Sequence, residues 1–330
     1  MRVFLAGGTG AVGRRLLPQL VVAGHEVVAL CRNRDTAAEV RAAGATPTIA
    51  DALNRADLID AVRAARPDAL IHQLTGLAGT PGNLRRFDQE FALTNRLRTE
   101  ALDTMLQAAR EVGAKRFIAQ SFCGWPQARS GAWIKSEGDP LEPHPDSSFR
   151  QSHEAILHIE TTVPRATEFV GIVLRYGVLY GPGTNFAEGG SFVELVKKRR
   201  LPLVGEGTGV WSFTHVDDAA GATLAALERG KSGVYNIVDD EPARVSEWLP
   251  YLAMSVGAER PRSMPAWLGR LVLGKGGLDW LLQGRGSSNL KAKSQLGWSP
   301  RIANWRDGFR QIMPEWLRTE WRRAPDGGPV

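Results

Sequence analysis

The sequence predicts an α/β fold, a Rossmann-like doubly wound parallel sheet with a smaller C-terminal lobe. Short apolar runs alternate with helical segments through the first half of the 330 residues. This alternation is typical of a parallel sheet covered by helices on both faces. A glycine-rich stretch at residues 7–13 directly follows the first apolar run. After Tyr176 the pattern changes to glycine-rich loops and later helices, which predicts a second, smaller unit.

The elements follow in order from the periodicity of apolar residues. The predicted strands are short apolar runs at residues 1–6, 26–31, 46–50, 69–73, 116–120 and 171–175. The predicted helices include residues 12–23, 36–43, 94–109 and 262–282. We therefore expect residues 1–176 to form the sheet domain, completed by later segments, and 177–323 to form mainly the C-terminal lobe. Residues 324–330 are a Pro/Gly tail that we expect to be disordered.

Composition excludes several classes of protein. The 43% hydrophobic residues can build a core, but no stretch approaches the roughly 20 apolar residues of a membrane span. No export signal or anchor is visible, and with only Cys31 and Cys123 a disulfide framework is not expected. The cysteines and the six histidines lack ligand spacing, so no metal is predicted. These observations predict a cytoplasmic protein.

The formal charge of +6 and the basic run at residues 197–200 are also compatible with nucleic-acid binding. A solvated helix end is the simpler explanation of the run, and charge alone indicates non-specific binding rather than fold. Arginines near the glycine-rich stretch suit a phosphate-rich cofactor. We therefore expect a small-molecule substrate as the partner, no nucleic acid and no membrane, and a monomer or homodimer.

The glycine-rich stretch predicts a dinucleotide site. Residues 7–13 read GGTGAVG, with Gly7, Gly10 and Gly13 at the spacing Gly-x-x-Gly-x-x-Gly, between an apolar strand and an amphipathic helix. Glycine permits a tight turn at positive φ, close approach of the pyrophosphate, and close packing of helix on strand. The free N–H groups at the helix N-terminus attract the phosphates. In this context the motif is a strong signal for a nicotinamide dinucleotide.

The end of the second strand favours NADP over NAD. A carboxylate at this point would accept hydrogen bonds from the adenosine ribose of NAD and would repel a 2′-phosphate. The sequence instead places Arg32 there, and a guanidinium can hold a 2′-phosphate with two hydrogen bonds, with Arg14 as a further candidate. Arg32 and Arg34 can also form a simple basic loop, and Asp35 lies near enough that NAD remains an alternative.

Further motifs add a family resemblance. They are LRYG at residues 174–177, YGPG at 180–183, HVDDAA at 215–220, YNI at 235–237 and LGWSP at 296–300. Together with the glycine stretch, and in this order, they resemble the NAD-dependent epimerase/dehydratase family of the extended short-chain dehydrogenase/reductase superfamily. The resemblance covers nearly the whole chain and implies a doubly wound sheet with a small substrate-binding lobe.

The resemblance also implies which residues bind the cofactor. Asp51 and Leu53 would lie by the adenine, Gln73 to Thr75 by the ribose and pyrophosphate, and Asn95 matches a helix asparagine of the family. With the glycine motif, the predicted cofactor contacts are Gly7, Thr9, Gly10, Ala11, Val12, Gly13, Arg32, Asp51, Ala52, Leu53, Gln73, Leu74, Thr75, Asn95, Ser121 and Tyr176.

The family's usual catalytic pair is missing. Members normally use Tyr-x-x-x-Lys, in which the phenol transfers a proton and the lysine lowers its pKa. In this sequence the first of the four tyrosines is Tyr176, and none of the four is followed by a lysine four residues later. One register of the relevant helix puts Phe149 and His153 at the two positions. A second register, anchored on Glu160, puts Ser152 and Ile156 there.

Two residues are candidates to replace the tyrosine. Ser121, at the end of the fifth strand, could hydrogen-bond a substrate oxygen or hold a water, and His153 could shuttle a proton near neutral pH. We predict that a reductase would take its proton from His153 or from water at Ser121, with Tyr176 as a fallback. His153 can also be a surface histidine, because no partner at fixed spacing orients it, and Arg175 can be structural.

Aromatic residues suggest the substrate class. Of ten tryptophans, Trp125, Trp133 and Trp211 fall in segments that the family turns toward substrate, and Phe186 and Cys123 are added as candidate contacts. Flat rings would suit an aromatic or polycyclic apolar ligand, although the same rings can simply pack the core of the lobe. Cys123 can likewise be a small buried hydrophobe.

The leading hypothesis is an NADP(H)-dependent oxidoreductase that acts on a hydrophobic carbonyl, enone or alcohol, because the cofactor supplies the hydride and the protein supplies placement. Two alternatives remain open at this point. One is an epimerase or isomerase that retains its nicotinamide cofactor. The other is a non-catalytic NADP(H)-binding sensor, which the missing catalytic pair would favour.

Overall fold

The computed structural model describes residues 1–77 and 83–313. The predicted tail at residues 324–330 lies outside the described residues. Strands in the described ranges are β1 (Arg2–Ala6), β2 (Glu26–Cys31), β3 (Thr46–Ile49), β4 (Ala69–His72), β5 (Arg116–Phe122), β6 (Ile134–Lys135), β7 (Val170–Tyr176), β8 (Val178–Tyr180), β9 (Leu203–Val204), β10 (Val210–Trp211), β11 (Phe213–His215), β12 (Gly233–Ile237), β13 (Ala243–Arg244), β14 (Ser263–Met264) and β15 (Gly286–Ser287).

Helices connect most of these strands. The α-helices of the described ranges are α1 (Gly13–Val22), α2 (Arg34–Ala42), α3 (Arg55–Ala65), α4 (Phe87–Glu90), α5 (Ala92–Arg96), α6 (Leu102–Glu111), α7 (Arg150–Thr162), α8 (Ser191–Lys197), α9 (Val216–Arg229), α10 (Val245–Ser255), α11 (Ala266–Gln283), α12 (Leu290–Leu296) and α13 (Trp305–Arg310). Short 3₁₀ turns cover Leu84–Arg86 and Ser147–Phe149.

The main sheet has seven parallel strands in the order β12-β7-β5-β4-β1-β2-β3. The predicted Rossmann-like fold is therefore confirmed. The chain runs outward from β1 to β3 and then returns to β4 on the other side of β1, so a topological switch lies between β1 and β4. Ligands of such sheets bind outside the carboxyl ends of the strands at this switch.

Two apolar cores cover the two faces of the sheet. On one face Leu16 and Leu20 of α1 pack with Ala222 and Ala226 of α9, and all four are inaccessible or nearly so. The other face buries side chains of α3, α6 and α7, among them Leu102. Both faces of the sheet are buried. This agrees with the continuous apolar runs of its strands, which are typical of a sheet covered on both sides. Strand β12 and helix α9 come from beyond Tyr176, so later segments do complete the sheet.

The C-terminal lobe has a core dominated by aromatic rings. Trp211, Phe213, Trp248, Trp305 and Phe309 are all buried in one cluster. Their ring centroids lie 4.8 to 6.5 Å apart in tilted and edge-on pairs. Rings of this size bury large apolar areas and prefer such offset geometry, so they hold the short strands of the lobe together.

Two predicted helices differ in the structure. The helix expected at residues 94–109 is split into α5, a π-helical turn at Leu97–Ala101, and α6. The Thr99 hydroxyl donates to the Asn95 carbonyl oxygen at 2.9 Å in this turn, an insertion of the kind that interrupts a helical ladder. The helix expected at 262–282 is α11, but it begins only at Ala266, after the strand β14, and it is broken at Gly274, which has φ 75°. None of the helices in residues 1–77 and 83–313 is long and apolar enough to cross a membrane.

Candidate functional site

The turn after β1 depends on glycine at both of its ends. Gly7 has φ +96°, and a Cβ there would lie 2.5 Å from the Gln73 carbonyl oxygen. A Cβ on Gly13 would lie 2.0 Å from the Gly7 carbonyl oxygen. These two glycines are therefore required by the protein's own packing, one by its backbone conformation and one by the contact of α1 with the turn.

Gly10 is different from its two neighbours in the motif. It is exposed, and a Cβ there would meet only the Gly7 carbonyl oxygen, at 3.4 Å. The space in front of Gly10 is thus open, at the N-terminal end of α1, where free backbone N–H groups favour an anion. The turn fits the pyrophosphate of a dinucleotide. Thr9 and Ala11 are half-buried beside it, Val12 is buried, and a Cβ on Gly183 would come within 3.7 Å of Ala11.

The residues predicted to contact the adenosine of the cofactor follow β2 and β3. Arg32 directly follows β2, is exposed, and makes no ion pair or hydrogen bond with the rest of the described chain. Arg14, in contrast, pairs with Glu39 at 2.9 Å. After β3, the Asp51 carboxylate accepts a hydrogen bond from the Leu53 amide at 2.9 Å, which shapes the loop that also contains the half-buried Ala52.

The segment after β4 borders the same turn. The amide of Gln73 donates to the Ala6 carbonyl at 2.8 Å, and its side chain donates to the Tyr176 hydroxyl at 2.8 Å. That hydroxyl is also 2.7 Å from the Thr223 hydroxyl, and the ring is 1% exposed. Leu74 packs on the second core and Thr75 is exposed. A cofactor contact of Tyr176 would therefore have to come from its backbone.

Ser121 points into a buried ion-pair network. Its hydroxyl donates to Glu160 of α7 at 2.8 Å, and Glu160 forms an ion pair with Arg175, in which both side chains are 5% exposed. Arg98 lies near the same carboxylate, and burial lowers its pKa to about 10 despite that charge. The serine expected to hold a substrate oxygen or a water thus has its proton committed to Glu160, and Arg175 is structural.

The first turn of α7 is held by a carboxylate from another helix. Asp88 of α4 accepts hydrogen bonds from the backbone amides of Gln151 and Ser152, both at 2.9 Å. It also accepts one from the Ser152 hydroxyl at 2.7 Å, and that hydroxyl accepts from the Asn95 side chain at 3.0 Å. Two orphan amides of the helix start are thereby satisfied. Asn95 and Ser152 are brought together, and Ile156 is fully buried.

His153 is not a surface histidine. It is 6% exposed, and burial lowers its pKa although the ring hydrogen-bonds the Pro126 backbone. Nε2 is buried without a partner in the described residues. The nitrogen bonded to the Pro126 carbonyl must carry the proton, so the neutral ring presents Nε2 as an acceptor. This protonation state is the reverse of the one required for the predicted proton donor.

Two other candidate groups are buried. Burial raises the pKa of the Cys123 thiol to about 11, and the thiol contacts the Tyr176 carbonyl oxygen at 3.5 Å. The expected contact of Cys123 with substrate stays a prediction. Burial also raises the pKa of Tyr176 to about 12, which makes its phenol a weaker acid than a free tyrosine and less suited to be the fallback proton donor.

An aromatic cavity lies beside the start of α7. Trp125, Phe149 and Trp280 form its apolar walls, and the other lining residues are Gly124, Gln127, Arg129, Glu142, Pro145, Asp146, Gly276, Asp279 and Gly284. The centroids of Trp125 and Phe149 lie 5.2 Å apart, and Phe122 lies 6.3 Å from Trp280. The volume is about 30 Å³. This is room for one or two waters, so an aromatic ligand requires the walls to move.

The structure separates the predicted substrate aromatics. Trp125 lines the cavity, whereas Trp133 is 45% exposed and stacks on the Arg285 guanidinium at 3.8 Å. Phe186 and Trp211 are buried in the core of the C-terminal lobe, and their expected role as substrate contacts stays a prediction. The ring of Trp211 stacks on that of Trp280, with the two centroids 4.4 Å apart, so Trp211 packs against a residue that forms the cavity wall.

Sequence reasoning missed several cavity residues. Phe122 does not line the cavity but packs edge-on against its wall residue Trp280, and alternation along β5, which turns Ser121 and Phe122 to opposite sides, was an available signal for it. Trp280 and Asp279 come from α11, and Arg129 and Glu142 come from the irregular segment after β5. No local pattern relates these segments, because the contacts between them arise only in the folded chain.

Comparison with known proteins identifies the family of this chain and two reductases to which it is similar. The model of the NAD-dependent epimerase/dehydratase family matches residues 3–238. A 3-diazoavenalumate denitrifying reductase from a Streptomyces species is 42% identical over 312 residues, which cover 94% of this chain and 99% of that protein. A 4-hydroxy-2-methyl-3-oxo-4-farnesyl-3,4-dihydroquinoline-1-oxide ketoreductase from Stigmatella aurantiaca is 30% identical over 267 residues, 78% of this chain and 74% of that protein. The solved structure of a Thermus thermophilus UDP-glucose 4-epimerase in complex with NAD has a TM-score of 0.71 and 23% identity, covering 96% of this chain and 99% of the other.

Proposed function

The chain belongs to the NAD-dependent epimerase/dehydratase family and is an NAD(P)-dependent oxidoreductase, and from this premise we propose that it uses NADPH to reduce an aromatic compound. The single observation that carries the proposal is the aromatic cavity at the start of α7, which Phe149 lines together with Trp125 and Trp280. NADPH as the reductant is supported by Arg32, which is exposed after β2 and is unpaired within the described residues.

The groups around the cavity favour a reaction that needs no proton from the protein. Burial raises the pKa of Glu142, but hydrogen bonds from Arg129 and the His144 amide outweigh burial and hold it below its usual value. Hydrogen bonds from Ser148 likewise outweigh burial and lower the pKa of Asp146. At neutral pH these carboxylates are ionised and accept protons rather than donate them. His153 presents an unprotonated Nε2.

Reductive loss of nitrogen from an aryl diazonium meets this condition. The balanced reaction is ArN₂⁺ + NADPH → ArH + N₂ + NADP⁺. The cofactor supplies hydride, the C–N bond breaks with its electron pair leaving on N₂, and no proton is exchanged. The proposal is supported by the 42% identical relative, which is named as a denitrifying reductase of a diazo compound. The chain's own part is to bind the aromatic ring, orient it, and exclude water.

Carbonyl reduction is the second candidate. It is supported by the 30% identical relative, which is named as a ketoreductase. A ketone needs a proton as well as a hydride, and in this site that proton would have to come from water. A dependence of turnover on pH would therefore accompany ketone reduction and not nitrogen loss.

The test uses NADPH deuterated at the transferable C4 position of the nicotinamide. The protein is incubated with this NADPH and either an aryl diazonium salt or an aryl ketone. The proposal expects N₂ release and one deuterium on the ring carbon that carried the diazo group, at a rate above that of the Gly10→Val variant, which controls for uncatalysed reduction. Deuterium in the alcohol product alone would establish the second candidate. NADPH consumption equal to the Gly10→Val control with both substrates would overturn both.

A further inference from the structure

The outer end of the aromatic cavity is occupied by an arginine with two carboxylate partners. Arg129 pairs with Glu142 at 3.2 Å and makes a closer ion pair with Asp279 of α11. Asp279 also pairs with Lys275 at 2.6 Å. Arg129 is 24% exposed at its side chain, so its guanidinium is neither fully buried nor free in solvent. A guanidinium in this setting is suited to bind a planar carboxylate.

Asp279 reaches Arg129 because α11 lies directly on the cavity. The helix breaks at Gly274, and the part after the break contributes Gly276, Asp279 and Trp280 to the walls. A Cβ on Gly276 would be 2.5 Å from the Phe149 ring. The buried residues of α11 are glycines, but its Trp280 also stacks on Trp211 at 4.4 Å and lies edge-on to Phe122 at 6.3 Å. The ion pair of Asp279 with Arg129 is therefore one of several contacts that hold this part of the helix at the cavity.

A second arginine lies behind the first. Arg285 is 9% exposed and donates from Nη2 to the Arg129 carbonyl oxygen. Its Nε and Nη1 are buried without a hydrogen-bond partner in the described residues, and its face rests on Trp133. Burial lowers its pKa, and the Arg129 charge lowers it further. Asp146 also lines the cavity, but its carboxylate is engaged by the hydroxyl and amide of Ser148.

We propose that Arg129 is the binding site for a carboxylate group on the aromatic substrate, and that Asp279 occupies this site while the substrate is absent. The inference rests on the proposed function for the aromatic nature of the substrate. The incoming carboxylate replaces Asp279 on Arg129 and so releases the ion pair that helps to hold the part of α11 after Gly274 at the cavity. Arg285 has no carboxylate partner among the described residues, and its positive charge favours an anion at this end of the site. The substrate class is therefore an aromatic carboxylate rather than a neutral aromatic compound.

The test measures binding without turnover. Cinnamate and its neutral analogue cinnamamide are titrated calorimetrically into the full chain saturated with NADP⁺. Wild type is expected to bind cinnamate about tenfold or more tightly than cinnamamide, because a charge-assisted pair is lost with the amide. Arg129→Gln is expected to remove this preference. Asp279→Asn, which removes the competing carboxylate, is expected to tighten cinnamate binding severalfold more than it tightens cinnamamide binding.

The double variant Arg129→Gln/Asp279→Asn closes the cycle, since the gain from Asp279→Asn must vanish without Arg129. Arg110→Gln is the matched control, because Arg110 of α6 makes a remote surface ion pair with Glu168 at 2.8 Å. Equal binding of acid and amide by wild type, no saturable cinnamate binding, or a gain that persists in the double variant would each overturn the proposal. Failure of the proposed function would appear separately, as cinnamate binding without hydride transfer to any aromatic acceptor.

Discussion

The glycine-rich turn and the start of α7 differ in how much open space each leaves for a ligand. At the turn, Gly10 faces open space although the residues around it are tightly packed. At α7, Phe149 and Trp125 fill the space themselves and leave about 30 Å³. The first region is preformed for its ligand, whereas the second must open. We therefore expect cofactor binding at the turn to need no rearrangement of the aromatic cavity.

The largest expected effect is at the turn. Gly10→Val should abolish NADPH binding while the fold is retained, because a side chain there projects into the open space that the pyrophosphate needs. Gly13→Val should instead lower stability severely, since its Cβ would lie 2.0 Å from the Gly7 carbonyl oxygen. NADPH titration and thermal unfolding of both variants measure the contrast. Normal NADPH affinity in Gly10→Val would mean that the turn is only a packing feature.

The second prediction tests whether the carboxyl ends of the sheet strands are shielded from water. Burial lowers the pKa of His72, at the end of β4, to about 4, and this effect outweighs its bond to the Leu97 carbonyl. Below pH about 6.5 the unfolded chain therefore binds a proton that the folded chain does not, so His72 makes stability fall as pH drops. The loss approaches about 3 kcal/mol near pH 4.

This loss is measured as the difference between wild type and His72→Gln in urea unfolding at pH 7 and pH 5. Glutamine keeps a donor for the Leu97 carbonyl, so the two proteins should differ mainly in the slope of stability against pH. The wild type should be destabilised more by acid than the variant. Parallel slopes would show that His72 is hydrated and that the strand ends are wetter than the structure implies.

The third prediction tests the residues predicted to contact the adenosine of the cofactor. Arg32→Ala should weaken NADPH binding about tenfold and leave NADH binding unchanged, because only NADPH carries the 2′-phosphate. Arg41→Ala, on the exposed last turn of α2, is the matched control for loss of positive charge. The test is to measure the dissociation constants of NADPH and NADH for wild type, Arg32→Ala and Arg41→Ala. Equal affinities of wild type for NADPH and NADH would remove the NADP assignment.

The smallest expected effect is at α7. His153→Gln should leave the rate of NADPH oxidation and its pH profile close to those of wild type, because neutral His153 has no proton on Nε2 to donate. Glu154→Gln, one residue along the same helix, controls for disturbance of the helix. A tenfold loss of rate with a shifted profile in His153→Gln alone would restore the histidine as the proton donor and favour the carbonyl reaction.

Local rules were sufficient for the sheet domain and not for the catalytic end. The strands at residues 2–6, 26–31 and 116–122 were recognisable because a short apolar run bounded by turn residues is typical of a buried strand. The break of α11 at Gly274 was not recognisable, since an isolated glycine is tolerated within many helices. Ser121 was correctly placed at a strand end, but its partner Glu160 lies 39 residues away.

The sequence by itself determined the fold class, the glycine turn and the absence of the Tyr-x-x-x-Lys pair, because each of these is written in residues close together in the chain. Only the tertiary structure decided that Trp125 lines a cavity while Trp211 packs a core, and that His153 is buried. It also brought Arg129 and Asp279 together across 150 residues. Burial and ion pairing depend on which distant segments meet, and periodicity along the chain carries no information about that meeting.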